Sequence, residues 1–324
     1  MGGVRAAATA GHRAVGGTTT GVIEFRDVSK TYAAPLRRAV RAVEGFSLRV
    51  EAGEVLGLAG PNGAGKSTLI NLLLGYLAPS GGAVTIAGET PRTYIERSGI
   101  GFLPELVHVS QKWTLRGALV RFAVLGGVAR TEVPERVDSA IARLGLEEHR
   151  DKRVKALSKG TLQRLGIAQV LLRDDDVMIL DEPTHGLDPV WTLRFRDLVQ
   201  DLRRPGRATL IASHNLDELQ RVADRVAIID RGRLQRVVDV RRRQVAAATK
   251  YRLSLAAGDE LVAGVFPGSA SLGGGEFEVP SADLATLNRG LRDLLARGAV
   301  IAAVVPARSA LEEEFRSAVG ESTA

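Results

Sequence analysis

The run Gly60, Pro61, Asn62, Gly63, Ala64, Gly65, Lys66, Ser67, Thr68 fits G-x-x-x-x-G-K-[ST], with an apolar stretch over 54–59 before it and a helical pattern over 69–74 after it. Glycines let the backbone turn tightly enough for successive N–H groups to point inward. The following helix adds the positive end of its dipole, so the loop suits a chain of phosphates. Lys66 would reach the β and γ phosphates of a nucleoside triphosphate, and the Ser67 hydroxyl suits Mg2+ held between them. A second chemical pair, Asp181 and Glu182, ends the apolar run 177–180. On a strand that carries them to the carboxyl edge of a sheet, Asp181 would hold Mg2+ through water. Glu182 would orient or deprotonate the water that attacks the γ phosphate. Two acids after a strand are common, and the phosphate loop earlier in the chain gives these their meaning. His214 follows the run 209–212 and Ser213, which brings it to the same edge, where imidazole could donate to a phosphoryl oxygen.

The elements that must position these residues alternate. From 22 to about 238, short apolar runs at 54–59, 177–180, 209–212 and 225–229 are separated by longer amphipathic stretches, the pattern of an α/β domain. Helical spacing over 115–150, interrupted by Gly126 and Gly127, predicts a helical insert at about 110–160. Asp174, Asp175 and Asp176 read as the polar turn ahead of the acidic strand. Past about 242 the composition shifts. Strands at 251–255 and 276–279 around Gly273, Gly274 and Gly275, a helix at 282–296 and a strand at 300–305 predict a small α+β accessory unit over 243–324. Residues 1–20, rich in Gly, Ala and Thr, lack the apolar core of a signal peptide and read as a disordered tail. The expected division is therefore 1–20, 21–242 and 243–324. The phosphate loop occurs once, so one chain carries the parts of one nucleotide site.

Composition narrows the alternatives. The 324 residues contain no cysteine, which excludes disulfides, thiolate metal sites and cysteine nucleophiles. Five scattered histidines make no metal cluster. A net charge of +7 fits an anionic partner surface, or arginines spread over solvated helices. Basic runs at Arg37 and Arg38, Arg203 and Arg204, and 241–243 are short and have few aromatics beside them, so no nucleic acid partner is expected. No window nears the roughly 18 consecutive apolar residues of a spanning helix, which predicts a cytoplasmic chain.

With these residues in order, the chain resembles the ATP-binding subunits of ABC transporters over about 22–238. The resemblance rests on the phosphate loop, on Asp181 and Glu182, and on Leu157, Ser158, Lys159, Gly160, Thr161, which stands where the family has LSGGQ. Lys159 replaces a glycine and Thr161 a glutamine, while Gln163 and Arg164 resume the pattern. The resemblance implies a P-loop ATPase core with a helical subdomain, ATP as substrate with Mg2+ as cofactor, and two subunits sandwiching two ATP molecules. Ser158 and Gly160 would face the γ phosphate bound on the opposite subunit. It further implies that Tyr32 stacks on adenine and that Asp188, in Gly186, Leu187, Asp188, Pro189, links the two sites. Glu105 takes the place of a glutamine that touches Mg2+ and senses the membrane partner. Glutamate there, Ser158-Lys159-Gly160 and the 309–315 ending resemble the exporter branch with separate, short membrane subunits. The partners implied are an integral membrane permease, received by the segment from Glu105 through Trp113 and Thr114, and a second copy or a homologous ATPase subunit. The chain would then lie peripherally on the inner face of the cell membrane. A soluble ATPase of this type acting on ribosome or nucleic acid, and a ligand-switched regulator, are the competing expectations.

Overall fold

The computed structural model describes residues 22–33, 39–240, 250–307 and 310–319. The expected tail at 1–20 and the basic runs at Arg37, Arg38 and 241–243 lie outside them. Continuous apolar sequence builds the central sheet, because a strand covered on both faces has no polar side to show. β3 (Val55–Ala59), β6 (Val177–Asp181) and β7 (Ala208–Ser213) are buried at every position. The sheet runs β5-β6-β7-β3-β8-β9, with β5 (Gly101–Leu103) and β8 (Arg225–Asp230) parallel to their neighbours and β9 (Arg233–Asp239) antiparallel at the edge. A second, antiparallel sheet, β2-β1-β4, pairs β1 (Ile23–Tyr32) with β2 (Val40–Val50) and β4 (Gly81–Ile86). Its strands alternate buried and exposed positions, as one covered face requires. Phe25, Phe46, Leu56 and Leu58 join both sheets in one core, with α1 (Lys66–Leu73) packed into it through Leu69, Ile70, Leu72 and Leu73.

The other face of the central sheet carries the helical insert. α2 (Pro91–Ser98) precedes β5, and α3 (Leu115–Leu125) and α4 (Val133–Arg143) follow it, each of the last two burying one apolar stripe. Thr114 caps α3 by accepting from Gly117 N at 3.1 Å. α5 (Lys159–Val170) is buried on almost all sides and links the insert to the sheet. α6 (Pro189–Asp201) and α7 (Leu216–Val222) follow β6 and β7.

The region after 250 divides in a way the sequence did not suggest. β10 (Lys250–Ala257), β11 (Ala270–Gly273), β12 (Glu276–Pro280) and β13 (Val300–Pro306) form an antiparallel sheet of order β11-β12-β10-β13, with helix Leu284–Ala296 closing its own core of Tyr251, Leu253, Leu255 and Leu294. The last helix, Ala310–Val319, leaves that core. Its Leu311 is buried among Leu219, Val222 and Val238 of the larger unit, with Phe315, Ala318 and Val319 packed beside it, and Glu314 ion-pairs with Arg236. The single accessory unit expected over 243–324 is thus a sheet-and-helix unit followed by a clasp that returns to the central sheet.

Candidate active site

Because β3, β6 and β7 are parallel, their carboxyl ends open on one edge, and the connections there meet around a cavity of about 340 Å³. Residues 61–68, Glu105, Asp181, Glu182, His185 and His214 line it. The loop's conformation depends on glycine. Gly65 has φ +108°, and a Cβ there would lie 2.7 Å from Ala42 O. As the residue ahead of α1 it offers no capping side chain, which leaves the first N–H groups of the helix free for an anion. Lys66 Nζ donates to the loop's own carbonyls, Gly60 O at 2.6 Å and Pro61 O at 3.3 Å. Burial holds its pKa below the usual lysine value, against the opposing pull of Glu182, Asp181 and Glu105.

Asp181 and Glu182 are 9% and 7% exposed. Burial, followed by the charges of Glu105 and Glu182, raises the Asp181 pKa to about 6 despite Lys66 nearby. Glu182 sits at φ +46°, a conformation that costs a non-glycine residue about 1 kcal/mol or more. It is held at every polar atom of backbone and side chain. Its N–H donates to Ala212 O at 2.8 Å; its carboxylate accepts from Ser213 Oγ (3.0 Å) and His214 N (2.9 Å), and meets His214 Nδ1 at 2.8 Å. Its carbonyl accepts from Gln163 Nε2 at 3.3 Å, and the same amide donates to Pro183 O at 3.0 Å. Gln163, buried on α5, is a positioning contact that sequence reasoning missed: its place beside Arg164 was visible, but its acceptors lie 19 and 20 residues away.

Tyr32 ends β1 with its hydroxyl 3.5 Å from Thr68 Oγ1, which sets its ring beside the phosphate loop. Ser158, Gly160 and Asp188 do not line the cavity. Ser158 caps α5, its Oγ accepting from Thr161 N at 3.2 Å. A Cβ on Gly160 would come within 2.9 Å of Gly186 O, so the start of α5 lies against the loop that holds Asp188. Asp188 caps α6 through Trp191 N at 2.8 Å. These three residues form a surface of their own.

The acidic turn differs from the expectation of a plain polar loop. Asp175 is 7% exposed and pairs with Arg173 at 2.9 Å, burial raising its pKa. Arg204 bridges Asp174 at 3.0 Å and Asp176 at 2.7 Å. A groove of about 410 Å³ lies between β5, α3 and α5, lined by Phe102, Pro104, Val107, His108, Phe122 and Leu125 among others. Trp113 is not part of it; the Arg121 guanidinium covers the ring at 4.7 Å.

Comparison with known proteins bears on the family and the fold. The ABC transporter family profile matches residues 43–185. The ABC transporter ATP-binding protein NatA of Bacillus subtilis is 35% identical over 200 residues, which cover 60% of this chain and 81% of NatA. The chain belongs to the ABC transporter ATP-binding family. An uncharacterized family member of Nostoc sp. is 36% identical over 222 residues, 67% of this chain and 66% of that protein. A solved structure described as the ATP binding subunit of an ABC transporter superposes with a TM-score of 0.61 at 28% identity, covering 69% of this chain and 92% of the other. The fold is the mixed α/β fold of that family. The chain spans 61–66% of the length of the first curated relatives it matches. Relatives named for methionine import and for Nod factor export both match, so family membership does not carry the expected direction of export.

Proposed function

We propose that this chain binds and hydrolyses ATP with Mg2+, and that two copies, or one copy and a homologous subunit, thereby drive a separate membrane permease. The observation that carries the reading is the division of parts. The phosphate loop, Asp181, Glu182 and His214 share one cavity, while Ser158, Gly160 and Asp188 share another surface of the same chain. One subunit therefore supplies half of each of two sites, and a head-to-tail pair completes both.

In the cavity, Lys66 would exchange the carbonyls of Gly60 and Pro61 for phosphate oxygens, whose charge restores the proton affinity that burial removes. The donor set of one hydroxyl, Ser67, and two carboxylates, Asp181 and Glu105, is made of hard oxygens and suits Mg2+. When bound, that ion would neutralise charge on the phosphates. Tyr32 would stack on the adenine. Glu182, fixed by Ser213, His214 and Gln163, would accept a proton from the attacking water. His214, whose Nδ1 lies 2.8 Å from the Glu182 carboxylate, would turn Nε2 toward the γ phosphoryl oxygen. Across the dimer, Ser158 and Gly160 would face that phosphoryl group, and Asp188 would connect the two sites.

The groove between β5, α3 and α5 begins beside Glu105 and suits a cytoplasmic segment of the permease. No helix among the described residues is long and apolar enough to cross a membrane, and the chain would sit peripherally on the inner face through that partner. The test is Glu182→Gln. The variant should bind ATP, fail to turn it over, and accumulate as an ATP-bound dimer by size-exclusion chromatography with light scattering. Normal hydrolysis by this variant would remove Glu182 from the role.

A further inference from the structure

Charge is distributed unevenly along the chain. Residues 111–164 contain twelve Lys and Arg against six Asp and Glu, a surplus of six, where the whole chain has a net charge of +7. The fold concentrates part of this surplus. Residues 111–116 run beside 150–155: Leu115 N donates to Lys152 O at 3.0 Å, Arg116 N to Arg150 O at 2.9 Å and Val154 N to Trp113 O at 2.9 Å, and Thr114 bridges Arg153. Lys112, Lys152, Arg153 and Lys155 thus project from two zipped backbone segments, all four exposed. Arg121 joins them over the Trp113 ring.

These cations are not neutralised from within. Among the described residues none of Lys112, Arg121, Lys152, Arg153 and Lys155 pairs with a carboxylate, and the Lys152 ammonium meets only His149 Nδ1, at 3.1 Å. Elsewhere arginines are matched closely, as in Arg196 with Glu218 at 2.5 Å, Arg203 with Asp224 at 2.7 Å and Arg225 with Glu54 at 2.6 Å. A cluster of like charges raises the energy of the isolated fold, so an external counter-charge is the natural complement.

We infer that this face rests on the anionic phospholipid headgroups of the bilayer that holds the permease, an inference that builds on the proposed transporter role. Arg121 stands four residues before Leu125 on α3, hence on the same side of the helix, and Leu125 lines the groove proposed for the permease. A groove that receives a cytoplasmic segment of a membrane protein looks toward the bilayer, and cations one helical turn away share that outlook. Lys112, Lys152, Arg153 and Lys155 are exposed and line neither the phosphate-loop cavity nor the groove between β5, α3 and α5, so they belong to neither of those shaped clefts. A layer of headgroups needs none, because it attracts clustered cations without shaped contacts. Trp113 lies under Arg121, leaving no open ring in the patch on which a base could stack.

The experiment uses the full chain without permease, sedimented with vesicles of phosphatidylcholine alone or of phosphatidylcholine with about a third phosphatidylglycerol. The wild type should bind the anionic vesicles, release them as salt is raised, and ignore the neutral ones. Each cation contributes about fivefold to partitioning, so Lys152→Glu/Arg153→Glu/Lys155→Glu should lower binding by about 100-fold or more. An equal charge reversal in the small unit, Arg289→Glu/Arg292→Glu/Arg297→Glu, should bind like the wild type, and ATP binding by all three proteins reports that they are folded. Absence of wild-type binding to anionic vesicles, or an equal loss in both triple variants, would overturn the inference. So would a patch variant that keeps vesicle binding but no longer co-purifies with a permease, since the face would then contact protein. Co-purification of a permease with a wild type that ignores vesicles would leave the transporter reading standing while the lipid contact falls.

Discussion

Asp181 offers a prediction whose size follows from the structure. Its carboxyl, ordinarily near 3.8, titrates at about 6 in the folded chain, chiefly because it is buried. Below pH 3.8 the group is protonated in folded and unfolded chains alike and contributes nothing. Between 3.8 and 6 the folded chain keeps a proton that the unfolded chain has lost, so stability falls as pH rises, by about 1.4 kcal/mol per unit. Above 6 the penalty levels off at about 3 kcal/mol. In metal-free buffer at pH 8, Asp181→Asn should therefore stabilise the protein by about 3 kcal/mol, a rise of about 4–5 °C in Tm for a chain of this length. At pH 5 the gain should shrink to about half. Adding Mg2+ with ATP should reverse the order, because the wild type gains a ligand that the variant holds poorly. The assay is thermal unfolding by circular dichroism at both pH values, with EDTA or with Mg2+ and ATP. An Asn variant no more stable than wild type at pH 8, or a gain of equal size at pH 5, would refute the account of Asp181 as a destabilised buried charge.

Two other substitutions probe contacts the structure reveals. Gln163→Leu leaves the Pro183 carbonyl without its donor and the Glu182 carbonyl with His185 N alone, at 3.0 Å; stability should fall by about 1–3 kcal/mol, and kcat for ATP hydrolysis should drop at least about tenfold with KM little changed, measured by steady-state kinetics. Leu311→Ala opens a cavity beneath the last helix and should cost about 2–5 kcal/mol, read as a lower midpoint in urea unfolding of the larger unit; an unshifted midpoint would mean that the helix is not docked in solution.

Much of the core could be read from the chain because its strands are buried on both faces and therefore spell continuous apolar runs, as in 177–180 and 209–212. The polar residues that end those runs needed no further inference to be placed on one edge, since parallel strands fix it. β2 and β9 were harder to see. Each exposes one face, and sequences such as Arg233–Asp239 carry as many charged as apolar residues. The last helix was invisible for a different reason. Leu311, Phe315 and Ala318 do recur at helical spacing, but their partners Leu219, Val222 and Val238 lie 73 or more positions earlier, and nothing local says which core such a stripe will join. Asp175 illustrates the same limit at a single residue. In a run of three aspartates it reads as solvated, and only the tertiary approach of Arg173 makes its burial tolerable.

Gln163 connects the two halves of the proposed site. α5 is capped by Ser158, whose hydroxyl is already engaged by Thr161, and one and a half turns later the Gln163 amide grips the carbonyls of Glu182 and Pro183. Glu182 is itself strained, with φ +46°. A displacement of α5 toward a phosphate on the partner subunit would therefore pull directly on the backbone that sets the Glu182 carboxylate. The carboxylate in turn is tied to Ser213 and His214, which lead through Asn215 into α7, the helix against which the last helix docks. Closure at one site would thus be felt at the base of the other within the same chain, and the chain's clasp would stiffen the segment that carries His214. This wiring makes Gln163 the residue whose loss should separate ATP binding from ATP turnover while every group in the cavity itself remains in place.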